Sequence, residues 1–187
     1  MDKPTGLDGA AAGELLRRIG QGDEKAFAKL FCAINRRVFL FAKHRLGDPR
    51  DAEEVLNDTA MELWEHPDRF RGDAKFMTYV LGIANNKATS LLRRRGRVEV
   101  DSGDGPEDVP DDNPTPFDAL CGNETRAVIA QCMEQLSDRQ RAIVHLAYFE
   151  DLSRGEIGSI LGCEANAVRQ HLWQALRKMK RSLVRLN

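Results

Sequence analysis

The stretch from Ser153 to Gln174, SRGEIGSILGCEANAVRQHLWQ, decides how the C-terminal third of this chain is read. Ser153 and Glu156 stand three apart before an apolar run, the capping-box signature that opens a helix. Ile157, Ile160 and Leu161 follow, and Gly162 breaks the helix. A longer helix is expected to start near Glu164 or Ala165 and to pack through Val168, Leu172, Ala175, Leu176 and Met179. Short helix, glycine turn and longer helix is the helix-turn-helix pattern. With that packing face inward, Arg169, Gln170, Trp173 and Gln174 point outward. Arg and Gln each form bidentate hydrogen bonds to purine edges in the major groove. Trp173 adds an apolar or stacking surface. Residues 165–187 carry no acid and six bases, Arg169, Arg177, Lys178, Lys180, Arg181 and Arg185. Lys178 and Arg181 suit phosphate contacts, which position rather than specify. His171 is a further phosphate candidate. The competing reading is an amphipathic helix with a cationic, solvated face, and the preceding short helix and glycine turn favour DNA.

Working outward, a third segment takes in 125–187. Ala127, Val128, Ile129, Cys132 and Leu136 suggest a helix. Ser137-x-x-Gln140 is a second capping box, opening a helix that buries Ile143, Val144 and Ala147. Before it, residues 98–124 carry nine acids, four prolines and no base. Low hydrophobicity and high charge predict a flexible acidic linker. The whole chain has 187 residues, 28 bases and 29 acids, a net charge of -1. Setting aside the nine linker acids leaves 28 bases against 20 acids, a net of +8. The near-neutral total therefore does not exclude a nucleic-acid partner, because charge distribution matters more than the sum.

The first segment, within 1–97, also reads as helices. Asp23 can cap a helix whose stripe is Ala26, Phe27, Leu30, Phe31, Ile34, Val38, Phe41, Ala42 and Leu46. Gly47-Asp48-Pro49 ends it. A second helix, from about Asp51 to Glu65, packs through Ala52, Val55, Leu56, Thr59 and Leu63. Glu54, Asp58 and Glu62 repeat every four residues as an acidic stripe. Ordinary solvation or docking to a basic protein surface would each explain it. Pro67 argues for a loop over 66–72. A third long helix is expected from about Asp73 to Arg95, packing through Phe76, Val80, Ile83 and Leu91. Only Val98 to Val100 suggest a brief extended run.

Enzyme chemistry finds no support. His44, His66, His145 and His171 form no H-E-x-x-H, and none has a cysteine at ligand spacing. Cys32, Cys121, Cys132 and Cys163 contain no C-x-x-C, so no disulfide framework is expected. No phosphate-binding glycine loop is present, and Glu53-Glu54 lacks a cleft to raise a carboxylate pKa. No metal and no cofactor are expected. No run of 18 apolar residues exists, and Met1–Leu15 lacks a signal-peptide pattern, so a cytoplasmic protein without membrane insertion is expected. The stretch 68–97 instead suits single-stranded nucleic acid. Its polar loop carries Arg69, Phe70, Arg71 and Asp73. Asn85 or Asn86 is expected to be exposed, Asn86 can bond a base edge, and Tyr79 can stack or pack. Arg93, Arg94 and Arg95 would bind phosphate with salt-dependent strength.

These stretches resemble the extracytoplasmic-function (ECF) sigma factors of the bacterial sigma-70 family. Gly22-Asp23-x-x-Ala26-Phe27 resembles the family's opening. Asp51-Ala52-Glu53-Glu54-Val55-Leu56-Asn57-Asp58-Thr59, with Leu63-Trp64, resembles region 2.2, with Asn57 where glutamine is usual. The resemblance implies that this helix docks on the beta-prime clamp helices of core RNA polymerase, through Asp51, Glu54, Asn57, Asp58, Glu62 and Trp64. Phe70-Arg71-Gly72-Asp73-x-x-Phe76, Ile83-Ala84-Asn85-Asn86 and Arg93-Arg94-Arg95 resemble regions 2.3 and 2.4. Tyr79 stands where tryptophan is usual, and Ser90 where aspartate is frequent. The implied −10 contacts are Arg69, Phe70, Arg71, Asp73, Tyr79, Asn86, Arg93, Arg94 and Arg95, and the loop would hold a flipped base.

Leu136-Ser137-x-Arg139-Gln140-Arg141 and Leu152-Ser153-x-x-Glu156-Ile157-Gly158-x-x-Leu161-Gly162 resemble region 4. Asn166-Ala167 replaces the usual glycine-threonine pair, and Gln170 stands where serine is common. The implied −35 contacts are Arg169, Gln170, Trp173, Gln174, Arg177 and Lys178. Region 3 is absent. The acidic linker would take its place and thread toward the RNA exit path.

The implied fold is all-α: a sigma-2-like helical bundle over 1–97, the linker over 98–124, and a sigma-4-like helix-turn-helix domain over 125–187. The implied partners are core RNA polymerase (beta-prime clamp helices and beta flap), promoter DNA, and an anti-sigma factor, which can be membrane-bound. Two other functions compete. A stand-alone helix-turn-helix regulator leaves the 51–64 and 70–97 motifs unexplained. A sigma-like decoy for an anti-sigma factor would be favoured by an acidic or missing DNA face, and the face is basic.

Overall fold

The computed structural model of the chain describes residues 7–96 and 131–186. The expected linker, the start of the helix before Leu136, and Val98–Val100 lie outside the described residues. The contacts divide the chain between Arg97 and Val98 into two compact units. Every regular element among the described residues is helical. No helix among them is long and apolar enough to cross a membrane.

The first unit contains α1 (Gly9–Ile19), α2 (Glu24–Leu46), α3 (Pro49–Glu65), a single 3₁₀ turn (Pro67–Arg69) and α4 (Phe76–Arg94). Apolar periodicity does not mark α1 in the sequence. Its signal is short: Asp8 caps Ala11 N–H, and Ala12, Leu15, Leu16 and Ile19 are buried. Arg18 of α1 grips the Asp23 carboxylate at 2.6 Å, while the other carboxylate oxygen caps α2 through the N–H groups of Lys25 and Ala26. The Ala26 hydrogen bond, then the Arg18 bond, holds Asp23 below the usual carboxylate range. That contribution to stability is present above the unfolded-state pKa and is lost as pH falls through the lowered folded value.

Gly47 takes the left-handed conformation (φ 81°) and ends α2. The next two residues open α3, for Asp48 caps Arg50 N–H and Pro49 occupies the first turn. Thus the sequence Gly47-Asp48-Pro49 ends one helix and starts the next with no intervening loop. Helix α4 begins at Phe76, later than the expected Asp73. Gly72 is left-handed there (φ 80°) and Lys75 provides no side-chain cap.

Leu30, Ile34, Val38 and Phe41 of α2, Val55 and Leu63 of α3, and Val80, Leu81 and Ala84 of α4 are buried in the apolar core of the unit, where these three helices pack on one another. Among the charged groups buried with it is Arg45. Arg45 donates to Asn85 Oδ1 and to Thr89 Oγ1 at 3.1 Å, and Thr89 in turn donates to the Asn85 carbonyl at 2.8 Å. A buried guanidinium costs free energy unless met by such acceptors.

The second unit contains a helical stretch over 131–134, then α5 (Asp138–Tyr148), α6 (Arg154–Leu161) and α7 (Ala165–Leu186). Both expected capping boxes form, Ser137 with Gln140 and Ser153 with Glu156. Cys132, Met133, Leu136, Val144, Ala175, Leu176, Met179 and Leu183 make a core cluster, with Tyr148 and Leu172 packed against it. Gly162 closes α6 in the left-handed conformation, φ 66°. The Cys163 N–H then donates to the Gly158 carbonyl at 3.0 Å. This return brings the Cys163 carbonyl so close that a Cβ on Gly158 would lie 2.5 Å from it. Gly158 is therefore required by the tight α6–α7 turn. Replacing Gly158 by Ala is expected to cost the second unit about 1–3 kcal/mol through this overlap. Thermal melts and hydrogen exchange over 154–176 should show the loss there, with the first unit unaffected.

Candidate nucleic-acid interface

Helix α4 presents the polar face that a single strand would meet. Arg45 draws Asn85 inward, and the neighbouring Asn86 is exposed. Of the two asparagines, the exposed one is Asn86. Tyr79, Ile83 and Asn86 share one face of α4 by their spacing. Ile83, expected in the core, is only half-buried. Phe70 leads from the 3₁₀ turn onto this face. Its ring centroid stands 5.3 Å from Phe76 and 5.3 Å from Tyr79. Phe76 is buried, whereas Phe70 and Tyr79 are half-buried. They form an aromatic edge rather than a sealed core pair. Burial, followed by the charge of Glu62, pushes the Tyr79 phenol up, so it stays protonated at neutral pH. Arg71 and Asp73 are exposed in the loop, and Arg93 is exposed near the end of α4.

The cations around this face are paired with α3. Arg94 reaches Glu54 at 2.7 Å, Arg95 holds Asp51 through both of its Nη atoms, and Arg69 binds Glu62. Lys87, which the sequence reading did not single out, donates to the other oxygen of Glu62 at 3.0 Å. The Lys87 bond, ahead of the charges of Lys87 and Arg69, lowers the Glu62 pKa.

The expected polymerase-facing stripe changes accordingly. Asp51 is no surface group; its carboxylate is 6% exposed and turned to Arg95. Burial follows from its place beside Ala52 and Val55 on the packing face of α3. Trp64 is half-buried and meets Phe27 edge-on at 5.1 Å. Exposed acids on this helix are Glu53, Glu54, Asp58 and Glu65. Asn57 is also exposed, and Met61 stands 50% exposed among them.

In the second unit, α7 follows the short α6 after Gly162, as a recognition helix does. Arg169, Gln170, Trp173 and Gln174 are half-exposed, and Arg177 and Lys178 are exposed. Two of these are engaged by α5. Gln140 Nε2 donates to Gln174 Oε1 at 3.4 Å, and Lys178 Nζ donates to Gln140 Oε1 at 3.0 Å. The same Gln140 closes the capping box on Ser137. Arg177 lies over the Trp173 ring, 5.0 Å from its centroid. His171, considered as a phosphate contact, is instead 9% exposed. It lies one position before Leu172 and falls on the inward side of α7.

Comparison with known proteins follows this division into units. Residues 30–98 match the family profile of sigma-70 region 2, and residues 126–179 that of sigma-70 region 4. The chain belongs to the sigma-70 family, in its ECF group. It is 27% identical over 178 residues to RNA polymerase sigma-H factor of Pseudomonas aeruginosa, covering 91% of this chain and 92% of that protein. It is 26% identical over 179 residues to ECF RNA polymerase sigma factor SigW of Bacillus subtilis, covering 90% and 96%. Among solved structures, CnrH in complex with the cytosolic domain of CnrY aligns with a TM-score of 0.62 at 21% identity, over 91% of this chain and 96% of that one. RpoE in complex with the anti-sigma factor NepR, from Bartonella quintana, aligns with a TM-score of 0.65 at 22% identity, over 85% and 97%. The fold of this sigma factor is thus all-α, as the sequence implied.

The α3–α4 pairs of this sigma factor differ in burial, and that difference is testable. Glu54 and Arg94 are both substantially exposed, so their pair is worth less than about 1 kcal/mol. Arg95→Gln would leave the buried Asp51 carboxylate without its guanidinium, at about 1–3 kcal/mol. Arg95→Gln should therefore lower the melting temperature of the first unit measurably more than Arg94→Gln. Equal shifts would show that the burial of Asp51 has no energetic consequence.

Proposed function

We propose that this sigma factor confers promoter specificity on core RNA polymerase by binding alone. The observation that carries the reading is the placement of Phe70, Tyr79 and exposed Asn86 on one edge of the first unit, in a chain whose second unit is a helix-turn-helix. Phe70 and Tyr79 would stack on a base flipped from the −10 strand, and Asn86 would bond its neighbour's edge. Energy gained on unstacked bases shifts the duplex toward the open state without any bond being made or broken. Arg71, Arg93 and the outer faces of Arg69, Arg94 and Arg95 would follow the strand's phosphates, and Asp73 belongs to the same loop.

In the second unit, Arg169, Gln170 and Trp173 are the residues assigned to −35 base reading. Arg177, beside Trp173, supports them. Gln174 and Lys178 act first through Gln140, setting the seat of α7 on α5. The face of α3 that docks on the basic clamp helices is built from Glu54, Asn57 and Asp58 around Met61. Trp64 supports it from below through Phe27. The domain limits are those of the sequence: 1–97 for polymerase and −10 work, 98–124 as a tether, 125–187 for −35 and beta-flap work. The protein would act in the cytoplasm, where polymerase is. CnrH was solved with the cytosolic domain of CnrY and RpoE with the anti-sigma factor NepR, and this chain is proposed to be held by an anti-sigma factor in the manner of RpoE.

Run-off transcription with core polymerase and a promoter selected from random-sequence DNA tests the reading. Wild type should give a transcript that core alone does not. Asn86→Ala is expected to lower open-complex formation by about tenfold, a loss of about 1.4 kcal/mol, with core affinity unchanged. Gln170→Ala should alter base preference within the −35 element rather than weaken all sequences alike, since a bidentate contact discriminates by about 1–3 kcal/mol. Binding to core with no transcript on any selected promoter would favour the decoy function instead.

A further inference from the structure

Glu62 carries a charge pattern that a polymerase-docking acid does not need. One carboxylate oxygen binds Arg69 of the 3₁₀ turn and the other binds Lys87 of α4 at 3.0 Å. The side chain is 20% exposed. Two cations on one carboxylate leave a group with net positive charge, so Glu62 offers no negative field to a basic partner. Glu53 and Asp58 on the same helix differ, for both are exposed and neither has an ion-pair partner among the described residues.

The elements that Glu62 joins are those that carry the aromatic edge. Arg69 immediately precedes Phe70, whose ring meets Tyr79. Lys87 immediately follows Asn86. Neither the 3₁₀ turn nor α4 has a side-chain cap at its start. The geometry points to Glu62 as a positioning residue for the promoter strand: it holds the Arg69 turn against Lys87 of α4, and so sets Phe70 and Tyr79 beside two cations that can meet phosphate. This rests on the sigma-factor reading above, and it removes Glu62 from the polymerase-docking face.

The sign of one substitution separates this role from the alternatives. Glu62→Gln removes a negative charge beside the proposed DNA path, so Coulomb attraction alone predicts tighter DNA binding and faster opening. A docking role predicts weaker core binding, with normal opening once core is saturated. Positioning predicts the reverse of both: core affinity within about twofold of wild type, and opening at saturating core slowed about tenfold through the misplaced loop.

The experiment uses the full chain, core polymerase and the promoter selected with wild type. Core affinity is read by fluorescence anisotropy, opening by stopped-flow with a fluorescent base in the −10 strand, and folding by thermal melt. Glu62→Gln/Arg69→Gln should lose less than the sum of the two single losses, because Arg69 is held through Glu62. Lys87→Gln, which cuts one arm and leaves Glu62 in place, should slow opening about threefold, and it decides the matter if Glu62→Gln fails to fold. Weaker core binding by Glu62→Gln, opening at or above the wild-type rate in either single variant, or additive losses in the double variant would overturn the assignment. A wild-type chain that drives no run-off would defeat the sigma-factor reading itself, a distinct failure.

Discussion

A guanidinium placed in an apolar helical core must find its acceptors there, and Arg45 finds Asn85 and Thr89 on α4. Its bonds to Asn85 and Thr89 fix the rotation of α4 about its own axis. Once that rotation is set, the remaining faces of the helix follow from its period. Asn86 goes outward, Tyr79 and Ile83 take the same edge, and Lys87 comes within reach of α3. Apolar packing alone would specify this rotation less sharply, because aliphatic side chains tolerate small rolls. The polar bonds do not, and in a low-dielectric core breaking them leaves a charge unmet. The candidate strand-binding edge therefore depends on a buried contact that touches no partner.

The second consequence of that rotation is electrostatic. Arg94, Arg95 and Lys87 all leave α4 toward α3, where Glu54, Asp51 and Glu62 meet them. A linear reading sorts these residues into an acidic polymerase stripe and a basic DNA cluster. In the fold, they are largely counter-ions of one another. The pairs are unequal, and burial decides which acids remain available to a partner. Glu54 is open enough for a basic surface to compete with Arg94. Asp51 is sealed, and Glu62 is outnumbered by cations. A four-residue repeat shows that acids share a helix face, but what opposes that face is tertiary information.

That contrast explains what was legible from residues alone. Local signals were strong where a helix end needs one specific atom: Asp23, Ser137 and Ser153 accept backbone N–H groups, and Gly47 and Gly162 adopt left-handed backbone. The helix-turn-helix followed from these and from apolar periodicity, and the division into units from the acidic, proline-rich stretch 98–124. Helix α1 went unmarked because its buried set is only Ala12, Leu15, Leu16 and Ile19, too short a stripe to stand out. The start of α4 was placed early because nothing in Asp73-Ala74-Lys75 announces that Gly72 has turned the chain. The inward turn of His171, the engagement of Gln174 by Gln140 and the pairing of Lys87 all depend on residues distant in sequence. No local pattern carries them.

The second unit repeats the dependence of a binding face on an internal polar contact, with a different device. Gln140 is first a capping residue, bonded with Ser137 at the start of α5. The same amide then reaches Gln174 and Lys178 on α7. One side chain thus ends the unpaired state of a helix terminus and seats the recognition helix. Arg169 and Gln170 lie one to two turns before the seating residues Gln174 and Lys178, in the N-terminal half of α7. In helix-turn-helix proteins that end enters the major groove. The departures from the family pattern at Asn166, Ala167 and Gln170 fall in this same stretch. These departures lie apart from Gln140, Gln174 and Lys178, so in the proposed reading they would bear on which sequence is read rather than on how α7 is seated.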